Sequence, residues 1–325
     1  MDTAQLLAAH GIGAQSKLRV GDKIPVASIG DLTDLLTCKI SVNSGGGTVA
    51  MSPTKSGLFV NAQDPGTTIG VYRADGTLRN NITGPSGTKR LAMDTQENVY
   101  CGVGTTLKKF SVDGAELWSK TLSSNVLDVK FSKDCIYVHY GTTNGTGRLA
   151  KFDLAGNLIW DVQSPSSGAI GTIGVDANGQ LYFSNQLYIY KIDKATGVVS
   201  STLTITISGS WGSGLWIDPT GAYLGVNYYN NSYHMKIWKT SDWSVVSDTQ
   251  PMVNNNISGA CITPNQQVAI LQNQSVRLYP FGSVNYTRTY GSGSTNQLYS
   301  DFYGNLLLSD GGFWWRYDRY YSILR

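Results

Sequence analysis

The 325-residue chain is 41% hydrophobic yet only 14% charged, with 25 basic against 22 acidic residues. The hydrophobic fraction suffices for a packed core, while a net charge of +3, scattered along the chain, argues against a nucleic-acid partner. With 37 Gly and 19 Tyr, and many Asn, Ser and Thr, the surface is neutral and rich in hydrogen-bonding groups, unlike that of most cytosolic enzymes.

Residues 1–47 read differently from the rest. Residues 3–9 are predicted as a short helical turn, 12–25 as extended or irregular chain, and 28–37 as a helix capped by Ser28 or Asp31. Residues 36–42 then alternate like a strand. The apolar side chains here are too few to fold alone and too many to leave in water. Residues 1–47 are therefore expected to form an extended arm that docks on a surface, with Leu6, Leu7, Leu18 and Val20 as candidate assembly contacts. Gly45-Gly46-Gly47 marks its junction with the body. No basic stretch followed by an apolar one opens the chain, so no secretory signal is expected. No run approaches ~20 apolar residues, so no membrane-spanning helix is expected either.

From residue 48 a single unit recurs. Its clearest copy is 90–122. Leu91 and Met93 alternate into Asp94, Gln96-Glu97-Asn98 makes a turn, and Val99 to Val103 forms a second run. Gly104-Thr105 turns again, Leu107 to Val112 forms a third run, and Asp113-Gly114 is a hairpin signal before Leu117 to Leu122. Four short strands joined by tight turns make an antiparallel meander that cannot bury both of its faces alone. Further copies occupy 48–83, 126–162, 170–207, 211–250, 257–290 and 297–325. Their first turns recur roughly every 37 to 45 residues, the period of four-stranded blades. Seven such units closed around an axis give an all-β, seven-bladed β-propeller of four-stranded antiparallel blades over 48–325. The aromatic last copy (Phe313, Trp314, Trp315, Tyr317) does not suit the polar cap of an open solenoid. That copy is expected to supply its own fourth strand from Tyr320 to Leu324, with a strand donated by residues 36–42 as the alternative.

Three units share a turn: Phe152-Asp153-Leu154-Ala155-Gly156-Asn157-Leu158-Ile159-Trp160, Val112-Asp113-Gly114-Ala115-Glu116-Leu117-Trp118, and Asp193-Lys194-Ala195-Thr196-Gly197. They resemble the D-x-x-(T)-G-x-x-x-W signature of quinoprotein-like and related NHL/YVTN-type propeller repeats, over about 48–325, and the resemblance implies the fold alone. The local reason for the motif is physical. Asp starts the turn, Gly takes φ > 0, and Trp packs on the neighbouring blade. No recurrent WD dipeptide, repeated kelch glycine pair or well-formed Asp box is present.

Candidate chemistry is sparse. His10, His139 and His234 fall in different units with no acidic residue at ligand spacing, so they are read as structural. Cys38, Cys101, Cys135 and Cys261 lack metal spacing, and Cys101 and Cys135 are read as buried thiols. No nucleophile elbow, phosphate-cradling loop or HExxH-like pattern occurs. The eight blades, calcium site and secretion signal usual in a quinoprotein dehydrogenase are missing. No catalytic residue, cofactor or metal is expected.

In a four-strand meander, second-to-third loops and inter-blade linkers emerge at one end of the propeller. Here that end carries residues 141–147, 208–214, 227–232, 254–256 and 290–296, rich in Tyr, Asn, Ser and Gly. Such loops combine rigid aromatic area with adaptable hydrogen bonds. Trp211, Asn227, Tyr228, Tyr229, Asn230, Tyr233 and Tyr290 are the candidate ligand-face residues, for a sugar or a protein. The neutral surface, the arm and the lack of a secretion signal together resemble propeller-bearing bacteriophage virion structural proteins (tail, fibre-hub or head-associated), made in the host cytoplasm and released by lysis. That resemblance implies a non-enzymatic protein whose partners are other virion proteins, further copies of itself, or a host surface glycan or protein. A lectin-like receptor-binding propeller, a cytosolic scaffold propeller and a propeller hydrolase or lyase stand as alternatives.

Overall fold

Short alternating runs bounded by Asp, Asn and Gly dictate strands, and the computed structural model consists of them. It describes residues 23–25, 37–41 and 48–322, apart from 55, 63–65, 75, 143–145, 168–170, 186–187, 206–209, 219, 230–232, 253–256, 264–265, 273–274, 282–287, 291–294, 301–305, 311–312 and 318–319. Among the described residues there is no helix.

Lys23–Pro25 (β1) and Thr37–Ser41 (β2) precede the repeats. The first blade comprises Val49–Met51, Phe59–Ala62, Thr68–Tyr72 and Leu78–Thr83 (β3 to β6). The second comprises Arg90–Met93, Val99–Val103, Thr106–Phe110 and Glu116–Thr121 (β7 to β10), and the third Val126–Ser132, Cys135–Tyr140, Thr146–Asp153 and Leu158–Ser167 (β11 to β14). The fourth has Thr172–Val175, Leu181–Ser184, Tyr188–Ile192 and Val199–Thr204 (β15 to β18). The fifth has Ser210–Ile217, Tyr223–Tyr229, Tyr233–Lys239 and Val245–Met252 (β19 to β22), and the sixth Ile257–Thr263, Gln267–Gln272, Ser275–Pro280 and Arg288–Tyr290 (β23 to β26). The last blade contains Thr295–Ser300, Leu306–Asp310 and Phe313–Tyr317 (β27 to β29), and Tyr320–Ser322 follows as β30. These make seven four-stranded antiparallel sheets, and the first strand of each sheet lies against the first strand of the next from β3 through to β27. The chain is a seven-bladed β-propeller with those first strands innermost.

The ring closes by the donated strand. β2 pairs with β29, Thr37 facing Tyr317 and Ser41 facing Phe313, so the seventh blade takes its outer strand from the N-terminal side of the chain. This corrects the expectation that Tyr320 to Leu324 would fill that place. Tyr320–Ser322 pairs instead with β1 in a separate two-stranded ladder, Lys23 opposite Ser322. The expected arm boundary at residue 47 thus falls after a strand that belongs to the propeller. Physically, a strand from the far end of the sequence makes ring opening require the rupture of a five-pair ladder. The helices expected over 3–9 and 28–37 lie outside the described residues, except for Thr37, which is in β2.

One contact recurs between blades. Lys109 on β9 and Trp118 on β10 both donate to the Leu154 carbonyl in the next blade's turn, Nζ at 2.9 Å and Nε1 at 3.2 Å. One blade on, Lys151 and Trp160 both donate to the Lys194 carbonyl at 2.9 and 3.1 Å. The turn glycines Gly156 and Gly197, at φ +87° and +77°, lie under the indoles so closely that a Cβ would sit 3.0 and 2.9 Å from Trp118 and Trp160. Each indole also meets a tyrosine of its own blade's second strand, Tyr100 with Trp118 at 5.7 Å and Tyr137 with Trp160 at 5.8 Å. In the fourth blade the position of Trp160 is taken by Ser201, since Lys151 faces Trp160 and Lys191 faces Ser201. There the indole comes from the other side of the seam. Trp243, at φ 60° in the fifth blade's turn where its neighbours have glycine, packs edge-on against Tyr182 at 6.2 Å.

First turns are capped by a side chain at one register position. Asp94, fully buried, accepts from the backbone N–H groups of Gln96 and Asn98 and from the Tyr100 hydroxyl, each at 2.9 Å, and pairs with Lys109 at 3.3 Å. Ser52, Asp176 and Asp218 cap the equivalent turns of their blades. Cys101, Cys135 and Cys261 are buried, as read from the sequence for the first two.

Outer strands open on a bulge in each of the first five blades, with Arg79, Leu117, Ile159, Ser200 and Val246 as the extra residues. A bulge here twists the edge away from further pairing. In the second and third blades the extra residue is itself an exposed aliphatic, Leu117 and Ile159. The exposed large hydrophobic residues among those described are Leu78, Leu117, Leu158, Ile159, Val198, Val199 and Val245, from 36 to 60% exposed, and all lie at this one place in successive blades. They form an aliphatic belt around the turn end of the rim.

Two outcomes follow for stability. Trp160→Ala should lower unfolding free energy by about 3–5 kcal/mol in urea titration, since it removes a buried indole and the donor to Lys194. Trp243→Gly should be costly in the native chain but substantially less so on a Ser201→Trp background, which restores the arrangement of the other seams. A double-mutant cycle with no coupling between the two positions would show that the two indoles do not share one space.

Candidate functional site

Pairing fixes which side chains gather at the loop end. On the second strand of the third, fourth and fifth blades, the residue four places beyond the turn partner faces the following blade, and the next residue faces the preceding one. The first set includes His139, Ser184 and Asn227 in three successive blades, all buried. Their Nδ1, Oγ and Oδ1 atoms have no hydrogen-bond partner. The second set is Tyr140, Asn185 and Tyr228, and each of these nucleates a cluster that reaches the surface.

In the third blade the Tyr140 hydroxyl donates to Asp161 at 2.6 Å, and Arg148 Nε donates to Asp161 at 2.8 Å and to the Tyr140 hydroxyl at 3.0 Å. The fifth blade repeats this. Tyr228, in the place of Tyr140, donates to Asp248 at 2.7 Å, and Asp248 pairs with Lys236 at 3.0 Å. His234, in the place of Arg148, stacks on the Tyr228 ring at 4.7 Å. In the fourth blade Asn185 accepts from the Tyr188 N–H at 2.7 Å, and Tyr188 and Tyr190 lie ring to ring at 5.7 Å. Burial, and then the carboxylate each serves, push the Tyr140 and Tyr228 hydroxyls up, so both are neutral donors. The Asp161 hydrogen bond raises Arg148 further, which keeps the guanidinium charged. Chemically, this row offers half-buried rings flanked by a cation and carboxylates already oriented by tyrosine. That arrangement can hold a peptide or polyol by stacking and hydrogen bonds. Among the described residues no three His, Cys, Asp or Glu side chains lie together as a metal site.

The residues chosen from sequence divide. Asn227 is only 1% exposed and Tyr228 6%, so both sit inside strand β20 beneath the surface rather than in an open loop. Trp211, Tyr229, Tyr233 and Tyr290 lie in strands, their side chains outside the described residues, as are Asn230, His10 and the arm contacts Leu6, Leu7, Leu18 and Val20. Sequence reasoning passed over Tyr140, Arg148, Asp161, Tyr188, Lys236 and Asp248. The only signal was a strand-end Tyr followed by Asp on the blade's last strand, which becomes visible once the register is known.

No protein-family model matches the chain, and no curated protein matches it. Solved structures do. The β-propeller domain of Myceliophteria thermophila Cps50 (Swd1) superposes with a TM-score of 0.69 at 15% identity, covering 86% of this chain and 98% of that one. The WD40 β-propeller domain of Doa1 gives 0.65 at 9% identity, covering 88% and 99%. The shared property is the fold. Trp160-Asp161 is the single WD dipeptide in the chain, so the likeness rests on blade geometry and not on a repeated signature.

In this propeller, His139 links the site to the seam behind it. It lies edge-to-face on Phe183 of the next blade at 5.3 Å, and Phe183 continues to Tyr190 at 6.2 Å. Burial lowers the His139 pKa below the ordinary 6.5, against the opposing pull of Asp128 across the ladder. With the folded value depressed, the unfolded chain binds more protons below pH about 6.5, so stability falls as pH falls through that range. Thermal unfolding followed between pH 7.5 and 5 should show that loss, and His139→Gln should flatten the slope. An unchanged slope in the variant would remove His139 as its source.

Proposed function

We propose that the chain is a non-enzymatic interaction propeller that serves as a platform in a larger assembly, concretely a bacteriophage virion protein of the tail, fibre hub or head that docks through its N-terminal arm. The observation that carries the platform reading is the row of Tyr140–Arg148–Asp161, Asn185–Tyr188–Tyr190 and Tyr228–Lys236–Asp248 clusters at the loop end. In the Tyr140 and Tyr228 clusters the ionisable groups are engaged with one another, which suits a preorganised recognition surface. The neutral surface and the arm support the virion reading. A second reading, a cytosolic scaffold propeller, draws support from the likeness to WD40 propeller domains.

Affinity purification of the tagged chain from its producing culture tests both. Recovery of the chain within intact particles, identified by mass spectrometry, is the expected result. Recovery only in a particle-free protein complex favours the scaffold. Arg148→Ala with Tyr188→Ala should reduce capture of the loop-end partner at least ~10-fold while the unfolding temperature stays within a few degrees, because both side chains are partly exposed. Turnover on a panel of polysaccharide and ester substrates, lost in that double variant, would overturn the non-enzymatic reading.

A further inference from the structure

The aliphatic belt needs an occupant. Exposed apolar side chains scattered singly over a surface require no explanation, but here they cluster at the start of the outer strand in five successive blades. Leu78, Leu117, Leu158, Ile159, Val198 and Val245 all follow the turn between third and fourth strands, so the belt runs along the rim at the turn end. The β1–β30 ladder, which residues 1–22 precede in the chain, connects to the propeller at that same end. β29 finishes at Tyr317, where the other blades make this turn, and β30 follows three residues later with β1 paired to it. Thr37, at the start of β2, also faces Tyr317.

The chemistry of residues 1–22 matches the belt. They include Leu6, Leu7, Leu18 and Val20, and their formal charges cancel, Asp2 and Asp22 against Lys17 and Arg19. No formally charged side chain lies between Thr3 and Ser16, which suits a surface band of Leu, Ile and Val. Extended, 22 residues span up to roughly 75 Å, enough to leave one disc and follow several blades of another. A specific interface needs roughly 800 Å² from each partner, and an arc of aliphatic side chains flanked by charged turns has the apolar centre and polar rim of such a surface.

We propose that the belt is the docking surface for residues 1–22 of a second copy of this chain. The proposal rests on the reading that the N-terminal arm is an assembly device, and it names the surface the arm engages. Each copy carries one arm and one belt, so two copies exchange arms reciprocally and the contact closes as a two-fold dimer.

Sedimentation velocity of the purified full-length chain over a concentration series tests it with two variants. One replaces arm residues, Leu6→Ser/Leu7→Ser/Leu18→Ser/Val20→Ser. The other replaces belt residues, Leu117→Ser/Leu158→Ser/Ile159→Ser, which are exposed and so leave blade packing intact, as an unchanged unfolding temperature would verify. The native chain is expected to be dimeric, and each variant alone to dimerise at least ~100-fold more weakly. An equimolar mixture should regain a dimer, because the arm of one variant meets the intact belt of the other. A monomeric native chain would overturn the proposal, as would failure of the mixture to recover. If the arm variant dimerises normally, the arm is not the assembly device. If the arm variant is monomeric but the belt variant dimerises normally, the arm reading stands and the belt is not its surface.

Discussion

A single carbonyl in the outer turn couples neighbouring blades at two successive seams of the ring. The Leu154 and Lys194 carbonyls each accept from the indole and the lysine of the preceding blade, and the turn conformation that points them there needs a residue at positive φ. A lysine buried in this seam is tolerated because its charge is answered. Lys109 meets the Asp94 carboxylate, the Leu154 carbonyl and the Tyr100 ring together. The same Asp94 caps its own turn, so one carboxylate ties a local hairpin to an inter-blade contact.

The two ends of the propeller divide the work. At the turn end, side chains are spent on capping and on coupling neighbouring blades, and aliphatic groups stand exposed beside the bulges that protect the outer edges. At the loop end, the strands run past the seam contacts, and their last residues are free to build polar clusters against the preceding blade. His139, Ser184 and Asn227 mark the boundary between these regimes, where buried polar atoms stand without partners just behind the surface clusters. Such atoms cost stability and are found where something other than packing sets the residue.

Substitution of Ser201 for the expected indole, with Trp243 filling the space from the opposite blade, shows that the seam specifies a volume and a ring against the second-strand tyrosine, not a sequence position. For that reason the repeat signature decays along the chain while the architecture persists, and likeness to known propellers is seen in shape at 9 to 15% identity.

Blade number, strand order and turn positions were legible in the sequence because they are local. Asp113-Gly114, Ala155-Gly156, Asn178-Gly179 and Thr196-Gly197 each announce a turn through residues that tolerate positive φ, and alternation sets the strands between them. The purpose of Trp118 and Trp160 on a neighbouring blade was legible too, since an indole at the start of an outer strand has nowhere else to be buried. Ring closure was not, because Tyr320–Ser322 and Thr37–Ser41 are equally good strands, and only the positions of both chain ends around the closed ring decide which one pairs with β29. The loop-end clusters were hidden for a related reason. Arg148 and Asp161 lie 13 residues apart in sequence and Tyr228 and Asp248 lie 20 apart, and no local pattern links them. Their meeting depends on a register that bulges shift by one residue, and register is a property of the folded sheet.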